Sequence, residues 1–171
     1  MIGYYGKRRI GMIKLYVPQY KDLWFRQMFM SDEETMSYNH NWGGTIPFPE
    51  EEWNDWYNYW IINTEGKRFY RYVIDETNNV FVGEIAYHYD KSREITIADI
   101  IIYSKYRGKG FGKQGLNKLC DIAKQNGIDV LYDNIAIDNT AINLFLECGF
   151  EEDHRTQEYI MLKKILLINE K

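Results

Sequence analysis

The segment Tyr106-Arg-Gly-Lys-Gly-Phe-Gly112 places glycine at every second position, Gly108, Gly110 and Gly112, between a strand-like and a helix-like pattern. Such spacing leaves a run of backbone N–H groups without side-chain cover at a helix N-terminus, where orphan donors and the macrodipole favour an anion. Arg107, Lys109 and Lys113 add positive charge, and Phe111 lies inside the run. The ligand these features predict is a pyrophosphate or polyphosphate. Carboxylates in apolar surroundings form the second group that could do chemistry. Glu84 follows Gly83, a residue that permits close backbone approach, and Asp99 interrupts the apolar run over residues 95–103. An isolated carboxylate there is costly unless paired or used, so Glu84 and Asp99 are the catalytic candidates for taking up a proton. Glu94 and His88 rank behind them, and a salt bridge or an exposed strand edge is the alternative role for each acid.

The elements that must position these groups follow from periodicity. Alternation over residues 12–17 ends at Pro18 and predicts a strand. Residues 22–30 form a short amphipathic helix, and residues 31–34 and 39–49, with Gly43-Gly44 and two prolines, form a loop. Pro49-Glu-Glu-Glu52 starts a second helix that carries Trp53, Trp56, Tyr57 and Trp60 at helical spacing. Strands over 68–74, 80–89 and 94–103, joined by turn-forming residues 75–79 and 90–93, predict an antiparallel meander. A helix over 110–126 closes at Gly127, a strand covers 129–137, a helix covers 139–148, and a last strand covers 159–168. The expected fold class is α/β (α+β mixed): one mostly antiparallel twisted sheet of six to seven strands, flanked by about four helices.

Three ligand classes use a glycine loop of this kind. A Walker loop requires Ser or Thr after Gly-Lys, whereas Gln114 follows Gly112-Lys113. Gly110-Phe-Gly-Lys-Gln-Gly115 matches a dinucleotide fingerprint, and Asp133 lies near the end of the next strand. A charged segment from Ser104 to Arg107 separates strand from loop there, where a dinucleotide fold turns tightly. The third class fits. Arg107-Gly-Lys-Gly-Phe-Gly112 resembles the Arg/Gln-x-x-Gly-x-Gly/Ala motif of the GNAT acetyltransferases. Downstream, Asp138-Asn-Thr-Ala-Ile-Asn-Leu-Phe-Leu-Glu-Cys-Gly-Phe150 resembles their second motif, Asn-x-x-Ala-x-x-Leu-Tyr-x-x-x-Gly-Phe. The resemblance covers residues 80–164, and residues 12–74 fit in element order.

That resemblance implies a GNAT fold splayed between its fourth and fifth strands, with acetyl-CoA in the opening. Its pantetheine arm would pair with backbone at Ile101, Ile102 and Tyr103. The pyrophosphate would meet residues 107–113, and Asp138, Asn139, Ala141 and Phe145 would complete the cofactor side. A free strand N–H near Ile100 to Ile102 would polarise the thioester, and an amine would attack directly. Two departures stand out. Asp138 occupies the usual Asn position, and Phe145 occupies the position of the Tyr that protonates the departing thiolate. Tyr132, Tyr103 and Tyr159 are candidate replacements. Three functions follow: an N-acetyltransferase, a CoA-binding regulatory protein without turnover, and a dinucleotide-binding oxidoreductase.

Composition narrows the partners. A net charge of −4 and a pI near 5.4 argue against non-specific nucleic-acid binding, which needs a basic face, and mildly favour a cationic partner. No apolar run approaches the ~20 residues of a membrane span, so a cytoplasmic, membrane-free protein is expected. Cys120 and Cys148 read as reduced core thiols, and His40, His88 and His154 show no ligand spacing, so no metal is expected. The expected organisation is a single domain over 1–171: a leader at 1–11, a substrate side at 12–75 and an acetyl-CoA-binding core at 80–165. Trp42, Trp53 and Trp56 could wall the acceptor pocket, with Asp32, Glu33, Glu34, Glu50, Glu51 and Glu52 attracting a cation. Small amine, polyamine, aminoglycoside, amino acid and peptide acceptors stay open, as do the length of the acyl group and a homodimer.

Overall fold

The computed structural model describes residues 11–167; the expected leader over residues 1–11, apart from Gly11, and the predicted strand end at Ile168 lie outside them. Gly11 is tied down, its carbonyl accepting from the Gln114 side-chain amide at 2.6 Å. The chain runs β1 (Ile13–Tyr16), α1 (Leu23–Met30), a 3-10 segment (Thr35–Trp42) and α2 (Glu50–Tyr57). A π-helical turn (Asn58–Ile62) continues α2, and β2 (Arg68–Asp75), β3 (Val80–Asp90) and β4 (Ile95–Ile102) follow. Then come α3 (Phe111–Gln125), β5 (Val130–Ala136), α4 (Ala141–Glu147), β6 (Glu151–Arg155) and β7 (Tyr159–Ile165).

These strands form one seven-stranded sheet in the order β1-β2-β3-β4-β5-β7-β6. Every neighbouring pair is antiparallel except β4 with β5. The meander arises as its turn residues predict. The Asp75 carboxylate accepts from the N–H of Thr77, and Asn79 takes a left-handed φ of 51°. β6 has no counterpart in the sequence reading. Glu-Glu-Asp-His-Arg is exposed at all five positions and carries no apolar alternation, so only its pairing with β7 makes it a strand. A charged edge of this kind also discourages pairing with other chains.

Both faces of the sheet are covered, which is why β3 is buried along most of its length. On one face α3 and α4 contribute Phe111, Leu116, Leu119, Cys120, Phe145 and Cys148 to a core with Val73, Ile85 and Leu131. Both cysteines are free there, and burial pushes the Cys120 thiol up to about 11. The other face is aromatic: Phe25, Phe29 and Met36 pack on Tyr70, Tyr72, Ala86 and Ile101. Trp53 of α2 is core, buried with Leu23 and Phe48, and not part of a pocket wall. The candidate side chains of β3 and β4, Glu84, His88 and Asp99, emerge on this face.

Candidate active site

β4 and β5 pair at only two positions, Thr96 with Leu131 and Ile97 with Tyr132. Beyond them the strands part, while β4 stays paired with β3 through Ile102 with Gly83. The bond from the N–H of Tyr103 to the Val82 carbonyl fixes the phase of that ladder. By alternation, Asp99 and Ile101 bond towards β3, and the N–H groups of Ile100 and Ile102 face the opening. Gly83 is required for this arrangement, because a Cβ there would lie 2.2 Å from the Ile101 carbonyl oxygen.

The glycine loop closes one end of the opening. Gly108 and Gly110 adopt left-handed φ values of 72° and 85°, and Gly110 is the N-cap of α3. Gly112 stands against α4, where a Cβ would come within 3.2 Å of Leu144. The Arg107 side chain is exposed and folds back onto two backbone carbonyls. Its Nε donates to the Ile102 carbonyl at 3.0 Å, and its Nη2 donates to that of Thr35 at 2.6 Å. Ser104 joins the same junction: its N–H donates to Thr35 Oγ1 at 2.9 Å and its hydroxyl to Asp32 at 3.2 Å. The Thr35 hydroxyl and N–H bonds to Asp32 hold that carboxyl below its usual range. Arg107 therefore ties the glycine loop to the 3-10 segment at Thr35. Arg107→Ala should lower stability by about 1 kcal/mol and raise the KM for the loop's ligand, checked by urea denaturation and titration. Arg107→Lys should recover only part of this, since an ammonium cannot fork to two carbonyls in plane.

One cavity of about 1070 Å³ runs from this loop through the strand opening to the aromatic layer. Of the cofactor-side residues expected from sequence, Tyr103 and Lys109 stand outside its lining and the others line it. Asn139, not Asp138, caps the start of α4, its Oδ1 accepting from the N–H of Ala141 at 2.9 Å. Asp138 reaches across to His40 at 3.2 Å. Phe145 is buried against Phe150, with ring centroids 5.0 Å apart. The phenols on the cavity wall are Tyr38, Tyr70 and Tyr106, and not Tyr132, Tyr103 or Tyr159. Burial, with the Glu84, Asp99 and Asp133 carboxylates nearby, raises the Tyr38 pKa. Tyr38 therefore stays a neutral hydrogen-bond donor.

Glu84 and Asp99 share the aromatic face but differ in their surroundings. Glu84 is buried, and Arg26 Nη1 from α1 lies 2.6 Å from both of its carboxylate oxygens. The Tyr70 hydroxyl also donates to Glu84. Burial acts to lower the Arg26 pKa, but the Glu84 carboxylate and Tyr70 outweigh it and the guanidinium is held charged. The guanidinium is 5.0 Å from the Trp56 ring centroid and 5.4 Å from that of Phe48. Asp99, with its side chain 45% exposed, meets His88 Nδ1 at 3.2 Å. Asp133 faces the same cavity, and burial together with Asp99 pushes its carboxyl well above the usual range. The acids expected from residues 32–34 and 50–52 do not line this cavity; its carboxylates come from β3, β4, β5, the β5–α4 turn and α4. Trp42 and Trp60 line it, while Trp56 lies under Arg26.

Residues 12–150 match the acetyltransferase (GNAT) family. A [ribosomal protein bS18]-alanine N-acetyltransferase of Haemophilus influenzae is 33% identical over 92 residues, which are 54% of this chain and 62% of that protein. An uncharacterized N-acetyltransferase of Methanocaldococcus jannaschii is 25% identical over 126 residues, 69% of this chain and 54% of that protein. The matches thus span just over half the length of these relatives. Among solved structures, spermidine N-acetyltransferase from Vibrio cholerae, in complex with CoA and spermine, superposes with a TM-score of 0.76 at 22% identity. That superposition covers 90% of this chain and 95% of the other, and it shows the shared fold.

Proposed function

The chain belongs to the acetyltransferase (GNAT) family, and on that premise we propose that it transfers an acetyl group from acetyl-CoA to a primary amine in a ternary complex. One observation carries this reading: a single cavity joins the glycine loop, the unpaired edge of β4 and an acid-lined aromatic chamber. The residues present fit acetyl-CoA. Left-handed Gly108 and Gly110 bare a helix N-terminus to a pyrophosphate, and β4 offers backbone groups to an amide-bearing arm. The N–H of Ile100 is suited to stabilise negative charge developing on the thioester oxygen.

Acceptor binding falls to the chamber at the other end. Asp99 supplies negative charge and Asp133, held protonated by burial, a neutral polar group, while Trp42, Trp60 and Tyr38 supply aromatic surface, a pairing that favours a cationic amine over a neutral one. The spermine complex of the Vibrio cholerae protein agrees in kind with that preference. Glu84 serves this chamber as a positioning group, because its oxygens are engaged by Arg26 and Tyr70. Thiol release from acetyl-CoA, measured across a panel of diamines, polyamines, amino acids, aminoglycosides and peptide α-amines, tests the reading. Turnover should be greatest with the cationic small amines. CoA binding with no turnover on any amine would favour a regulatory CoA-binding protein instead.

A further inference from the structure

We propose that His88, held by Asp99, is the catalytic base that takes the proton from the acceptor ammonium in this chain. The inference rests on the acetyltransferase reading and names the group that completes its chemistry. Glu84 is poorly placed for the task, since Arg26 and Tyr70 engage its carboxylate from the buried side. His88 Nδ1 is bonded to Asp99 Oδ2, which leaves Nε2 as the ring nitrogen without a partner among the described residues. His88 lines the cavity, and the edge of Trp60 fixes its ring at a centroid distance of 5.8 Å.

Position in the sheet supports the assignment. His88 is the register partner of Ile97, the last β4 residue paired with β5, so the imidazole stands where the strands begin to part. Asp99 immediately precedes Ile100, whose N–H faces the opening. The base, the residue that orients it and the donor to the thioester oxygen thus occupy one short stretch of β3 and β4. Other groups bear on the imidazole. Asp90 of β3 raises its proton affinity and Arg93 of the following turn lowers it. Arg68 is its register partner on β2, but its guanidinium is turned to the carbonyls of Tyr59 and Asn63. Tyr38, Asp133 and the Arg26–Glu84 pair face the same cavity. The Asp99 hydrogen bond prevails over burial and lifts the His88 pKa above its ordinary value.

Protons and electrons balance. The ammonium gives one proton to His88 Nε2, directly or through a water, and the freed lone pair forms the C–N bond. The C–S bond breaks, and the nitrogen's second proton ends on the CoA thiolate. The products are amide and thiol, and the proton on His88 returns to solvent.

The pH dependence of kcat, with acetyl-CoA saturating and the best amine of the panel, tests the assignment. Wild-type protein should show a rising limb near or above the ordinary ~6.5 of histidine. His88→Gln should lose that limb and at least about a hundredfold in kcat at pH 7. Acetyl-CoA binding, read by calorimetry, should stay unchanged, and added imidazole should restore part of the rate. Asp99→Asn should move the limb to lower pH, because it removes the bond that raises the His88 pKa. Retention of the limb and of kcat in His88→Gln would overturn the proposal. A large kcat loss with no change in the limb in either variant, and no imidazole rescue, would overturn it as well and leave His88 a packing residue. Failure of the wild-type protein to turn over any amine would instead defeat the acetyltransferase reading.

Discussion

Arg26→Met should destabilise the folded chain by about 3–5 kcal/mol at neutral pH, because it leaves the Glu84 carboxylate buried without its counter-charge. The expectation rests on geometry: one guanidinium nitrogen 2.6 Å from both oxygens, inside a box of Trp56, Phe48 and Tyr70. Glu84→Gln should also destabilise, by stranding a buried guanidinium, whereas Arg26→Met combined with Glu84→Gln should recover much of the loss. Urea denaturation of the four proteins gives the coupling energy directly. Additive effects would mean that the pair contributes nothing jointly. The same series separates structure from chemistry. If Glu84 were a base, the double variant would still lack turnover after its stability had recovered.

Gly110→Val carries the largest expected effect on function. Its φ of 85° lies where a β-branched side chain is strained, and the residue caps the helix end that would receive the pyrophosphate. Acetyl-CoA and CoA should raise the melting temperature of the wild-type protein. In the variant that rise should disappear, with the KM for acetyl-CoA up at least about a hundredfold, or ~2.7 kcal/mol. NAD should shift neither protein. Survival of CoA affinity in Gly110→Val would place the anion elsewhere, and a larger shift with NAD than with CoA would favour a dinucleotide enzyme.

The core of the fold is legible in the sequence wherever local and tertiary signals agree. The alternation of β2 to β4, the Asx-type turns between them and the helical spacing of α3 each point to the element that forms. The glycine loop is legible because its conformation is demanded by residue type: left-handed Gly108 and Gly110 tolerate little else. What is hidden depends on distant partners. β6 is a strand only because β7 offers it a ladder. Arg26 sits in Trp-Phe-Arg-Gln-Met-Phe, where a charged residue on a short helix reads as solvent-facing, and only Glu84, 58 positions away, explains its burial. Tyr38 and Trp42 belong to a 3-10 segment that part of the loop reading covered, since its sequence lacks an apolar period.

The catalytic candidates show the same division. Glu84 and Asp99 stand out because carboxylates within apolar strands demand a reason, and the structure gives each a different one. Glu84 is matched by a buried cation. Asp99 is matched by His88, diagonal to it on the same face and ranked behind it from sequence because a lone strand histidine carries no signal of its partner. Dense charge in the loop at residues 32–34 and at the helix start of residues 50–52 points to acceptor acids there. Asp32 is engaged by Thr35 and Ser104 and the five glutamates are exposed, and the cavity is lined instead by isolated acids of the sheet, the β5–α4 turn and α4.

The central claim is direct transfer of acetyl from CoA to an amine within one cavity, and the most direct measurement follows the acetyl group itself. Protein, acetyl-CoA labelled with carbon-13 in the acetyl carbons and the best amine of the panel are incubated together. Free thiol and labelled amide are then quantified by mass spectrometry. The account predicts one labelled amide per CoA released, no label on the protein, and loss of both products in Gly110→Val. Release of CoA without labelled amide, or label accumulating on the protein, would contradict it.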